Sequence, residues 1–185
     1  MAESAATAGS VLPASAADLD ALPQSFGIPT ERVLDTTTAA GRESISASSK
    51  SAFDSSHRLK KNAWLEVALF PSEVEGDLIS VYLNLTSLKS TAGGSLTVAA
   101  PSDTKPTGTT LSYDKGKTVS NGTISDYGVD GDALVVRVWA TSVTHVRLDL
   151  TGVSAYISTD PAPAQRRAAR AARARVAARA LTAQG

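Results

Sequence analysis

Hydrophobic and polar residues alternate along several short runs in the middle of the chain. The clearest run extends from Leu78 to Ser87. Its apolar residues occupy every second position: Ile79, Val81, Leu83 and Leu85. The positions between them hold Ser80, Tyr82, Asn84 and Thr86. A period of two predicts a β-strand with one face in a core and the other face toward water.

Similar runs follow at short intervals, and residues typical of turns, such as Gly93-Gly94 and Pro101, separate them. The predicted further strands are Ala63 to Phe70, Ser95 to Ala100, Thr109 to Tyr113, Thr118 to Ser125, Ala133 to Ala140, His145 to Leu150 and Val153 to Ile157. No strong helical pattern lies among them. The sequence therefore predicts an all-β fold, an antiparallel sandwich or barrel of about 7–8 strands.

Both ends of the chain differ from this middle part in composition. Residues 1–30 are rich in small residues and predict an extended N-terminal arm with a short helix, from Ala16 to Leu22, after a capping box at Ser15. Residues 31–159 form the predicted β-domain, in which the segment from Thr36 to Ser56 reads as a long loop with at most one weak strand. Residues 160–185 are mostly Ala and Arg and predict a basic α-helix.

The formal net charge of zero hides an uneven distribution of charge. Residues 161–185 carry six arginines and no acidic residue, whereas the rest of the chain has a net charge of −6. The arginines are Arg166, Arg167, Arg170, Arg173, Arg175 and Arg179. Guanidinium groups bind carboxylates and phosphates, so we expect a partner there. The tail lacks Tyr, Trp and Asn, which favours a protein partner over nucleic acid. A solvated helix without a partner is the alternative.

Residues suited to catalysis or metal binding are few. The chain has no cysteine, and its two histidines, His57 and His145, are not spaced as metal ligands. His145 with Asp149 and Ser142 has the composition of a catalytic triad, but such residues also serve as structural hydrogen-bonding groups at strand ends. Three aspartates beside Gly128 and Gly131 fit turn chemistry better than a calcium loop: Asp126, Asp130 and Asp132. We expect no catalytic residue, no metal and no cofactor.

Several short motifs, in order, resemble a β-domain common in actinobacterial cell-surface and secreted proteins. They are Arg32-Val33-Leu34-Asp35-Thr36, Tyr82-Leu83-Asn84-Leu85-Thr86, Gly94-Ser95-Leu96-Thr97-Val98, Pro106, Gly116-Lys117-Thr118-Val119-Ser120-Asn121 and His145-Val146-Arg147-Leu148-Asp149-Leu150-Thr151-Gly152. The resemblance covers about two thirds of the chain. It departs from the family at Thr37, where an Arg is usual, and from Thr38 to Lys61, where a Gly/Val-rich strand is expected. In this resemblance Arg32 and Asp35 are read as a structural charge pair.

The resemblance implies a non-enzymatic accessory module. Such modules are parts of exported proteins. In this chain the first 30 residues show no secretory signal pattern, and no segment of the sequence is long and apolar enough to cross a membrane. We therefore expect a structural protein of an actinobacteriophage virion, on the head or tail, that contacts other virion proteins and self-associates. The alternative is a carbohydrate- or cell-wall-binding module of a surface protein, with Tyr82 and Trp139 facing a host envelope glycan.

Overall fold

The computed structural model describes residues 23–72, 78–102, 104 and 106–156, and it contains nine strands. They are β1 (Pro23–Asp35), β2 (Ala63–Pro71), β3 (Leu78–Leu88), β4 (Gly94–Ala99), β5 (Leu111–Tyr113), β6 (Val119–Ser125), β7 (Gly128–Asp130), β8 (Ala133–Ala140) and β9 (His145–Tyr156). Two 3-10 helices, Ala40–Arg42 and Ala47–Ala52, lie between β1 and β2.

The strands form two antiparallel sheets. Sheet A has the order β1-β9-β3-β6, and sheet B has the order β2-β8-β4-β5, with β7 also paired to β8. The predicted all-β antiparallel fold is confirmed, and the arrangement is a sandwich. Its strand runs correspond to those predicted from alternation, apart from the differences described below.

The core lies between the two sheets and is built almost entirely of aliphatic side chains. Strand β3 contributes Val81, Leu83 and Leu85, three of the four residues that the alternation assigned to one face; the fourth, Ile79, lies at a register shift and is not part of the core. The other core residues come from both sheets and include Leu65, Val67, Leu96, Val136, Val138, Leu148 and Leu150. Because aromatics make up only 5% of the chain, branched aliphatic residues on alternate positions supply most of the buried area.

The first and last strands differ most from the sequence prediction. Strand β1 begins at Pro23, inside the stretch assigned to the arm, and pairs with β9 from Pro23↔Tyr156 to Asp35↔Arg147. The sequence did not predict this strand because it contains Gly27 and Pro29, and both residue types are rare inside strands. Two predicted strands, separated at Thr151-Gly152, are one continuous strand, β9, since its neighbours β1 and β3 hold it on both sides.

The remaining differences are local. Between Thr36 and Ser56 the chain folds into the two 3-10 helices, and Ile45 makes a single antiparallel bridge to Val67. Strand β7 was not predicted, because it is only three residues long. The predicted helices, from Ala16 to Leu22 and at residues 160–185, lie outside the described residues. Within the described part of the chain, no helix has the length and apolarity needed to cross a membrane.

Replacing Leu148 by alanine should strongly destabilise the sandwich. Leu148 is fully buried in β9, between β1 and β3 in sheet A, and truncating such a side chain leaves a cavity. We expect the free energy of unfolding, measured by urea titration, to fall by about 2–5 kcal/mol. Val129→Ala is the matched control, because Val129 is 47% exposed. A loss of similar size in both variants would contradict this account of the core.

Candidate ligand-binding face

The outward face of sheet A carries a set of polar and aromatic side chains in register across four strands. We call it the polar face. It consists of Arg32 and Asp35 on β1, Arg147 and Asp149 on β9, Tyr82, Asn84 and Thr86 on β3, and Ser120 and Ile124 on β6. These residues share one face because directly paired residues of antiparallel strands project to the same side.

Tyr82 lies along the surface of the sheet rather than projecting from it. It stands on β3, yet its phenol hydroxyl is hydrogen-bonded to the Ser25 hydroxyl on β1, so the ring extends across β9. The ring passes directly over Gly152, where an added Cβ would lie 2.8 Å from Tyr82 Cδ2 and 2.6 Å from the Phe26 carbonyl oxygen. The ring therefore lies against the glycine, and the Tyr82 side chain as a whole is half-buried.

Two ion pairs lie beside Tyr82 and fix the neighbouring row. The Arg32 guanidinium donates to both oxygens of Asp149, from Nε at 2.8 Å and from Nη2 at 3.3 Å. Arg147 Nε donates to Asp35 Oδ2 at 2.8 Å, and Arg32 Nη1 lies 3.8 Å from that same oxygen. The charge pair expected between Arg32 and Asp35 is thus present, within a network that joins β1 to β9.

The network perturbs the acid–base behaviour of its members. Burial by itself raises the pKa of Asp35, but hydrogen bonds from the Thr37 amide and hydroxyl, and the Arg147 guanidinium, outweigh it and lower the pKa below its usual value. The hydrogen bond to Asp149 raises the pKa of Arg32. Both groups therefore keep their charges at neutral pH. The two arginines and two aspartates of the face balance, so the face has no net charge.

Two groups on this face have hydrogen-bonding capacity left for a ligand. Asn84 is paired in register with Asp149 and is half-buried. Its side-chain amide makes no hydrogen bond to the other described residues. The Arg32 side chain is 49% exposed, which leaves further N–H donors accessible on the other side of Asp149 from Asn84. A half-buried aromatic ring on the same face as an amide and a guanidinium suits a neutral ligand that has an apolar face and several hydroxyl groups.

Trp139, the second residue expected to face a glycan, lies elsewhere. It is on β8 of sheet B, it is only 8% exposed, and its ring packs against Trp64 with centroids 5.9 Å apart. The Arg137 guanidinium covers the Trp64 ring at 4.0 Å and donates to the buried Glu66 carboxylate at 2.9 Å. Trp139 therefore lies on the other sheet from Tyr82 and is largely covered by its neighbours, and the expectation that it faces a glycan stays a prediction.

The residues considered for a catalytic triad have separate partners. His145 Nδ1 lies 2.9 Å from the Thr36 hydroxyl, and Asp149 is held by Arg32. The Ser142 carbonyl accepts a hydrogen bond from the Tyr113 hydroxyl at 3.0 Å. Burial, followed by the charges of Lys89 and Arg58, lowers the pKa of His145. The structure thus gives the side chains of His145 and Asp149 structural contacts at the start and middle of β9, and the backbone carbonyl of Ser142 one just before it.

The acidic loop adopts the turn geometry expected of it. Asp130 pairs with Ala133, so Gly131 and Asp132 form a two-residue turn between β7 and β8, with Gly131 at φ 56°. No group of three or more potential metal-ligating side chains occurs among the described residues. The six arginines of the C-terminal segment, Arg166, Arg167, Arg170, Arg173, Arg175 and Arg179, lie outside the described part of the chain.

Sequence reasoning named Tyr82 as a glycan-facing residue and did not name Asn84 and Arg32, which the structure places on the same face; contact with a glycan stays a prediction. The alternation did place Tyr82 and Asn84 on one face, and Arg147 and Asp149 have the same period of two. It could not bring Arg32 beside Asp149, because those residues are 117 positions apart in the chain. Comparison of the chain with protein-family models, with curated proteins and with solved structures finds no match.

Replacing Asp35 by asparagine should weaken folding and flatten its response to acid. A folded-state pKa below the unfolded value stabilises the protein above that unfolded value, and the contribution disappears as pH falls through the folded pKa. We expect Asp35→Asn to lower the free energy of unfolding at pH 7 by about 1–3 kcal/mol. The loss should shrink between about pH 4 and pH 2, as the wild-type carboxylate becomes protonated.

Urea unfolding measured across that pH range tests this expectation. Asp130→Asn is the control, because Asp130 is exposed at the hairpin tip and makes no ion pair with the described residues. Equal pH profiles for the wild type and Asp35→Asn would show that the Asp35–Arg147 pair does not stabilise the fold.

Proposed function

We propose that the chain is a non-enzymatic accessory structural protein of an actinobacteriophage virion. Its β-sandwich is exposed on the head or tail, and its terminal segments attach it to other virion proteins. The observation that carries this proposal is the pairing of the first and last described strands. Pro23 and Tyr156, to which segments 1–22 and 157–185 are joined, are paired in register, with their Cα atoms about 5 Å apart.

This arrangement suits an anchored module. When two segments are joined to a module at neighbouring residues, binding of one raises the effective concentration of the other for the same partner. The C-terminal segment carries six positive charges, so an acidic protein surface is its complementary partner. In this proposal the sandwich, with the polar face of sheet A, which has no net charge, remains exposed on the particle surface.

A second candidate function rests on the polar face alone: binding of a host envelope glycan. The Tyr82 ring attracts the C–H groups on the apolar side of a pyranose, because the face of an aromatic ring carries negative charge density. Asn84 and Arg32 then lie where they reach sugar hydroxyls. A face without net charge favours a neutral sugar over a charged one. This function is compatible with a virion and equally with a module of a surface protein.

Particle composition tests the proposed anchoring. We expect mass spectrometry of virions purified from the producing host to find this chain at many copies per particle. A chain truncated after residue 156 should be absent from particles, or at least tenfold depleted, while its sandwich stays folded by circular dichroism. Absence of the full chain from particles would refute the virion proposal. Incorporation of the truncated chain at normal levels would refute anchoring through the C-terminal segment.

Glycan binding has its own test. Tyr82→Ala should weaken binding to neutral polysaccharide from the host envelope at least tenfold in affinity electrophoresis, because the stacking surface is lost. Asn84→Ala should weaken binding while leaving the ring in place. Tyr156→Ala is the matched control, since Tyr156 is a half-exposed tyrosine of the same sheet, on β9. Unchanged binding by Tyr82→Ala, or equal loss in Tyr156→Ala, would exclude the polar face as the glycan site.

A further inference from the structure

Strand β6 is an edge strand that is regular throughout its length. It pairs with β3 at seven consecutive positions, from Val81↔Ser125 to Ser87↔Val119, without a bulge. Among the described residues, its backbone makes no backbone hydrogen bond outside that ladder. Alternate N–H and C=O groups of such a strand point away from the sheet, where they form a template for another strand.

The other edges of the sandwich carry features that prevent such pairing. Strand β1 contains Pro23 and Pro29 and two register shifts. Strand β2 has a register shift between Ala68 and Phe70, and the segment around Ile45 bonds to its edge. Strands β5 and β7 have only three residues each. These are the devices by which natural sheets avoid edge pairing, and β6 has none of them.

The sequence of β6 also favours close approach by another backbone. Its residues, VSNGTIS, include neither a charge nor a proline. Gly122 lies at the centre, and a Cβ added there would meet nothing within 4 Å, so internal packing does not require the glycine. A glycine within a strand often marks the approach of another backbone. Ile124, two residues on, is 66% exposed, the highest value among the exposed large hydrophobic residues of the described chain.

The charges that flank β6 favour a second copy of the same strand as the partner. Lys117 precedes the strand and Asp126 follows it, and both are exposed. In an antiparallel pair with a two-fold axis through Gly122, Ser120 lies opposite Ile124, and Asn121 lies opposite Thr123. The same symmetry brings Lys117 of each copy near Asp126 of the other. A parallel pair would instead bring like charges together, which is unfavourable.

We propose that two copies of this chain pair through β6, antiparallel and about a two-fold axis at Gly122, so that their A sheets form one eight-stranded sheet. This pairing requires neither a virion nor a glycan. It has a consequence for the polar face, because Tyr82 is paired in register with Ile124. The two polar faces become one surface, on which the two Tyr82 Cα atoms lie roughly 20 Å apart, given the strand spacing and the rise per residue.

The oligomeric state of the full chain, measured by sedimentation equilibrium over a range of concentrations, tests this pairing. We expect a dimer whose dissociation constant rises at least tenfold in Gly122→Lys, because two lysines then face each other at the axis. Gly27→Lys is the matched control, since Gly27 lies on β1 at the other edge of sheet A and also has open space around it. It should leave dimerisation unchanged.

Exchanging the charges of Lys117 and Asp126 distinguishes a defect in dimer pairing from a defect in folding. Asp126→Lys should weaken the dimer, because it places a lysine near Lys117 of the second copy. The double variant Lys117→Asp with Asp126→Lys should restore the dimer, since the opposite charges meet again. Hydrogen exchange of the amides from 119 to 125 should slow as the dimer forms. A chain that stays monomeric, or a dimer that Gly122→Lys and Asp126→Lys leave intact, would overturn the proposal.

Discussion

The pairing of β1 with β9 is the contact on which the polar face depends. Strand β9 lies between β1 and β3, so it provides the backbone over which Tyr82 reaches Ser25. The same pairing brings Arg32 to Asp149 and Arg147 to Asp35, two ion pairs between residues more than 100 positions apart in sequence. Without this pairing, the buried carboxylate of Asp149 on β9 would lose Arg32, and that of Asp35 on β1 would lose Arg147, and burial of an unpaired charge is costly.

The two sides of the sandwich use their aromatic and charged residues differently. On sheet B, Trp64 and Trp139 pack together, and Arg137 is held between an indole ring and the buried Glu66 carboxylate. These groups satisfy one another, apart from the indole Nε1 of Trp139, which is buried without a hydrogen-bond partner among the described residues. On sheet A, the Tyr82 ring lies against Gly152 and its side chain is half-buried, whereas Trp139 on sheet B is only 8% exposed.

The sequence predicted those features of the structure that depend on residues close together in the chain, and it missed those that depend on distant residues. Alternation of polar and apolar residues identified β3 and β8 and placed Val81, Leu83 and Leu85 in the core, because the period of two is a property of neighbouring residues. It also put Tyr82 on an outward face. It could not identify β1, whose Pro29 and Gly27 are tolerated only because a distant partner completes the ladder. The packing of Trp139 against Trp64 was not predicted either, since the two residues belong to different strands.

The separation of β1 from β9 along the chain also governs how the molecule folds. A sheet whose ladder joins residue 23 to residue 156 has many nonlocal contacts, and such contacts slow folding. During synthesis, at about 5–20 residues per second, β1 would wait roughly 6–25 s for the strand that covers it. Throughout that interval its exposed backbone groups invite incorrect pairing with other nascent chains. The prolines and bulges of β1 therefore have a use before the native structure exists, because they make the waiting strand a poor template for aggregation.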